Sequence, residues 1–147
     1  MVMYEIFDFV HFLGLAFGLG GATIATIISA KADKDKDVGK VIMKIMPSIS
    51  KLIMFGLLLL IISGIALPFY MAWPVNKKLL IIKHVLVAWI VIIGIFIGTR
   101  MKKVKNLAPV LREKPSQEFL RVKKQMKYLS IINLILWYGV TLMSAFV

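Results

Sequence analysis

The sequence predicts an all-α integral membrane protein, an up-down four-helix bundle in a single domain with both termini on the outer side. Three observations predict it. The chain of 147 residues is 60% hydrophobic, with a mean hydropathy of +0.88, which is more apolar surface than one soluble domain of that size can bury. The apolar residues gather into four runs, Phe9 to Ala30, Leu52 to Val75, Leu79 to Thr99 and Tyr128 to Val147. At about 1.5 Å per residue, each run matches or approaches a hydrocarbon core of roughly 30 Å. Finally, six of the 19 Lys and Arg lie in residues 31–51 and ten in 100–127, with only Lys77, Lys78 and Lys83 elsewhere. Cationic loops stay on the cytoplasmic face, which sends both ends outward. The net charge of +12 therefore reflects topology, and no nucleic-acid partner is expected.

The spacing predicts helices over about 6–30, 50–73, 78–100 and 117–147. The first follows Glu5 and Asp8, where a cleaved leader would carry a basic segment, so it is expected to be retained. Between the first two helices, Lys31 to Asp37 is a mixed-charge stretch. The next segment sets Lys40 and Lys44 against Val41, Ile42, Ile45 and Met46, as in a helix lying along the inner interface. Pro47 is expected to break it, with Ser48 or Ser50 capping the second span. That span ends at Pro68 and Pro74, with Tyr70 and Trp73 at headgroup level. A turn at Asn76-Lys77-Lys78 makes helices two and three antiparallel neighbours. Pro109 and Pro115 break the second basic loop, and Ser116 is a fair N-cap for a last helix with Glu118 in its first turn. The two halves show a weak repetition: aligning His11 on His84 also matches Gly21 with Gly94.

The ionisable residues within the spans are Asp8 at the edge, His11, Lys83 and His84. A polar group in hydrocarbon is expensive, so an intramembrane histidine is a functional candidate by default. In an up-down bundle helices one and three are parallel, which puts His11 and His84 at similar depth. Gly14, Gly18 and Gly21 fall three, seven and ten residues after His11, on its own helix face. They leave a strip for something flat or bulky, or else a close helix-packing seam. The favoured reading is a b-type haem with His11 and His84 as axial ligands, Gly14 and Gly18 as its wall, and Lys77, Lys78 and Lys83 near its propionates. Asp8 would accept the second ring N–H of His11. Lys83 lies about 100° from His84 around the helix, on the face of Gly94 and Gly98, and is the alternative second ligand. The bland alternatives are that each histidine only bonds a neighbouring helix and that Lys83 snorkels to the interface.

Other features point more weakly. The nine methionines, among them Met43, Met46, Met54, Met71 and Met143, lack a repeated spacing, so gap-filling explains them as well as soft-metal ligation does. Asn133, Trp137 and Tyr138 are expected in the core with internal hydrogen bonds. No cysteine is present, which excludes disulfides, thiolate ligands and thiol redox chemistry. No Asp or Glu lies deep in a span, which argues against a proton or cation pump.

His11 with Leu13-Gly14 and Gly20-Gly21, Pro47-Ser-Ile-Ser, Ser63-Gly64, and Leu79-Leu-Ile-Ile-Lys83-His84-Val-Leu-Val together resemble a broad set of small four-helix membrane proteins. That set surrounds the CopD copper-resistance domain and the HemJ type of protoporphyrinogen oxidase. The resemblance implies a haem b associated with His11 and Lys83. Where the HemJ type carries a Pro-Arg-Leu signature this chain has Thr23-Ile-Ala-Thr, so what is implied is architecture and a haem rather than that activity. The expected function is membrane electron transfer or redox chemistry, as a haem-dependent oxidoreductase if it is an enzyme, with a membrane redox partner or quinone. Two other readings stay open: copper or small-solute transport of the CopD type, and a non-catalytic membrane subunit or homo-oligomer using the glycine seams.

Overall fold

The computed structural model describes residues 2–32, 36–70, 76–107, 117–144 and 146. It contains four helices: α1 Val2–Ala32, α2 Lys36–Tyr70, α3 Lys77–Leu107 and α4 Gln117–Ser144. No strand occurs among the described residues. All four helices are long and apolar enough to cross a membrane. The expectations placed on Trp73, Pro74, Met71, Pro109, Pro115 and Ser116 lie outside the described residues, as do those on residues 33–35.

The helices pack as two hairpins, α1 with α2 and α3 with α4, joined mainly through α1 and α4. Glycine explains why the first hairpin is so close. A Cβ on Gly56 of α2 would stand 2.5 Å from the Gly18 nitrogen and 2.8 Å from the Gly14 oxygen, and one on Gly14 would stand 2.8 Å from Leu60 Cγ. Only hydrogen fits at that crossing, so backbone meets backbone. Gly21 extends the seam against Ile53, and Phe7 stacks on Tyr70 at 5.4 Å near the far end. The register runs in opposite directions along the two chains, as an antiparallel pair requires.

Two expectations are corrected here. The short connection between α2 and α3 does not make them packed neighbours, because of all the adjacent pairs these two touch least. A cleft stands between them. In addition, Pro47 does not end a helix: α2 runs unbroken through Pro47 and Pro68. The segment expected along the interface is the start of α2 itself, with Ile42 and Met46 buried one turn apart. Burial of that face outweighs the backbone bond Pro47 cannot make. Ser48 and Ser50 therefore lie inside the helix and cap nothing. The cap that forms is at Asn76, whose Oδ1 accepts from the Leu79 N–H at 3.3 Å.

The core is small: Ala22, Leu57, Leu60, Ile90, Trp137 and Val140. Large apolar side chains cover the outside, among them Phe12, Ile24, Leu58, Ile65, Val85, Ile95 and Leu142. An exterior of this kind accords with four helices long and apolar enough to cross a membrane. Toward the other end, Val104 and Val122 are buried, and Lys103 pairs with Glu118 at 2.6 Å between α3 and α4.

Candidate functional site

At the end of the bundle where α1 starts and α4 stops, one side chain from α1 reaches a partner on α2. His11 Nδ1 lies 2.9 Å from Ser63 Oγ. Ser63 is fully buried, and its hydroxyl donates back to the Leu59 carbonyl at 2.6 Å. A hydroxyl has one proton, and here it is committed to that carbonyl. It follows that His11 donates from Nδ1 to the serine oxygen and keeps the lone pair on Nε2. The serine thus fixes both the ring's direction and its tautomer.

His11 lines a cleft to which all four helices contribute. Its walls are mostly apolar, Leu57, Leu60 and Ile61 from α2 and Val87 and Ile90 from α3, with Trp137 and Ser144 contributed by α4, Ser144 at the end where that helix stops. Lys83 and His84 line it from α3. Lys83 is half-buried, while His84 is exposed and therefore marks the mouth. His84 donates from Nδ1 to the Leu80 carbonyl of its own helix at 2.7 Å, which likewise leaves its Nε2 free. Among the described residues no acidic side chain lines the cleft. The charges acting on His11 are Lys83 across the cleft and Asp8 one turn back on α1.

The structure thus brings His11, Lys83 and His84 to one cleft, as the helix directions predicted, and departs from expectation in three respects. The second-helix partner of His11 is Ser63; Asp8 is exposed and holds no ring N–H. The glycine strip is filled: Gly14 abuts Gly56 and Leu60, and Gly18 abuts the indole ring of Trp137. Gly14 and Gly18 therefore shape the site indirectly, by setting how near α2 and Trp137 approach. Gly94 and Gly98 face open space instead. Finally, Asn133 and Trp137 are buried as expected, but Asn133 Oδ1 and Trp137 Nε1 have no hydrogen-bond partner among the described residues. Tyr138 is exposed and reaches Thr23 of α1 at 3.2 Å.

Among the described residues no three His, Cys, Asp or Glu side chains cluster as the ligands of a metal ion do. The cleft has a volume of about 50 Å³, well below the roughly 300–1,000 Å³ of cofactor sites, so a macrocycle fits only if the weakly packed α2 and α3 stand further apart.

Fold and site together define a class: a bundle of four helices, each long and apolar enough to cross a membrane, with an imidazole turned inward near one end. No family model, curated protein or solved structure matches the chain.

Proposed function

We propose that this is a multi-pass cell-membrane protein, both termini outside, that binds a b-type haem in the four-helix cleft, between His11 of α1 and Lys83 and His84 of α3, and serves membrane electron transfer or redox chemistry. His11, through Nε2, would hold its iron together with Lys83 or His84. The observation that carries this reading is the His11–Ser63 hydrogen bond. Ligating histidines characteristically donate their second ring nitrogen to a fixed acceptor, which holds the ring and raises its basicity. The iron would supply a one-electron couple near the outer face. The apolar walls would keep water from it, and Lys83 would compensate negative charge at the rim.

Protein purified from haem-replete cells should show a Soret band that shifts on reduction. His11→Ala should abolish it. Lys83→Met and His84→Ala, measured side by side, assign the second ligand, since only loss of the true ligand changes the low-spin spectrum. Colourless protein from such cells overturns the proposal.

A further inference from the structure

Three helices line the cleft with residues seven positions apart: Leu57 and Gly64 on α2, Lys83 and Ile90 on α3, Trp137 and Ser144 on α4. At about 1.5 Å per residue this is a length of about 10 Å. A volume of about 50 Å³ drawn out over such a length is a slot one hydrocarbon chain wide, too narrow for a ring system. Both α2 and α3 line it, and these two pack against each other least of the adjacent pairs. A chain can therefore enter between them. The end of the slot at Lys83 is cationic. Lys83 is half-buried there, and Lys77 and Lys78 are exposed less than two turns earlier on the same helix. The first turn of α3 holds no acid, and its free N–H groups favour a negative charge at that end. Among the described residues, the acidic side chains at this end are Glu5 and Asp8 of α1, both exposed and neither lining the slot. An apolar slot that ends in lysines matches a molecule that is a chain at one end and an anion at the other. The long stem of Lys83 lets its ammonium reach headgroup depth while its methylenes stay among hydrocarbon.

We infer that this slot is a binding site for one anionic phospholipid. One acyl chain lies in the slot between α2 and α3, the phosphate meets Lys83, and Lys77 and Lys78 face the rest of the headgroup. The assignment rests on the membrane reading and not on the haem: at this helix separation the slot takes a chain, and a macrocycle would displace it.

The full chain, solubilised with equal amounts of phosphatidylglycerol and phosphatidylcholine of identical acyl chains, is read by native mass spectrometry. A haem registers there at its own mass, so the two proposals succeed or fail separately. The expected result is one retained phosphatidylglycerol per chain, preferred about tenfold or more. Lys77→Gln, Lys78→Gln and Lys83→Gln together should remove the preference. Val87→Phe, which fills the slot and leaves every lysine in place, should remove the retention. No retained lipid, or equal retention of the two lipids by the parent, overturns the inference. So does retention in Val87→Phe at the parent's level, because the lipid then sits on the lysines alone. If that variant does not fold, Trp137 decides, since it is 1% exposed and lines the slot. In a chain carrying Trp73→Phe and Trp89→Phe, where Trp137 is the sole indole, phosphatidylglycerol brominated along its chains should quench it more than brominated phosphatidylcholine at equal mole fraction. Equal quenching overturns the placement of the chain in the slot.

Discussion

Ser63 shows how much a single side chain decides. It is a fully buried hydroxyl that bonds its own helix at Leu59 and also receives the ring of His11 from the next helix. Replacing it with alanine leaves the imidazole N–H unpartnered and free to turn. We expect Ser63→Ala to lower bundle stability by about 1 kcal/mol, measured as a shift in detergent unfolding. If the haem proposal holds, the variant should also take up less haem than the parent while Gly94→Ala, where an added Cβ meets nothing within 4 Å, does not. The histidine was legible in the sequence because an imidazole inside an uncharged run is conspicuous. Its partner was not, because a serine in an apolar helix commonly bonds the carbonyl four residues back, and nothing in the spelling says that it will accept a second bond. The orphaned indole of Trp137 was equally hidden, since partnering depends on rotamers and neighbours that spacing does not encode.

At the scale of elements, glycines of similar appearance do different work. Gly56→Ala drives a methyl group into the α1 backbone at Gly18 and Gly14. It should destabilise the hairpin by roughly 1–3 kcal/mol, as overpacking does, and should weaken the His11–Ser63 contact with it. Gly94 has nothing within 4 Å of an added Cβ, so Gly94→Ala should be neutral or raise stability by up to about 1 kcal/mol through helix propensity. Thermal unfolding of the two variants side by side checks both. At the start of α3, Asn76→Ala removes the bond to the Leu79 N–H and should cost about 1 kcal/mol. The existence and order of the helices were legible from the apolar runs. The run of α2 through Pro47 was not, because a proline ends a helix only where no buried face continues past it, and Ile42 and Met46 continue that face. Which helix would fill the strip beside Gly14 and Gly18 was also illegible: small residues announce a close approach without naming the partner.

For the whole molecule, the four-helix up-down order was readable from hydropathy, while the pairing was not. Loop length suggested α2 against α3. Packing favours α1 against α2, where hydrogen-only contacts let two backbones meet, and leaves a cleft on the other side. The basic stretches at 31–51 and 100–127 predict that single cysteines introduced there, in a chain with none of its own, react with a membrane-impermeant maleimide only after cells are opened. Cysteines near either terminus should react in intact cells. The opposite pattern would refute the orientation and with it the placement of the haem near the outer face.

The looseness between α2 and α3 has a consequence for biosynthesis. Each half of the chain carries its strongest contacts within itself, and the halves recognise each other mainly through α1 and α4. A gene split between the codons for Tyr70 and Asn76 should therefore yield two fragments that, made in the same cell, reassemble and co-purify, as two subunits of a heterodimer would.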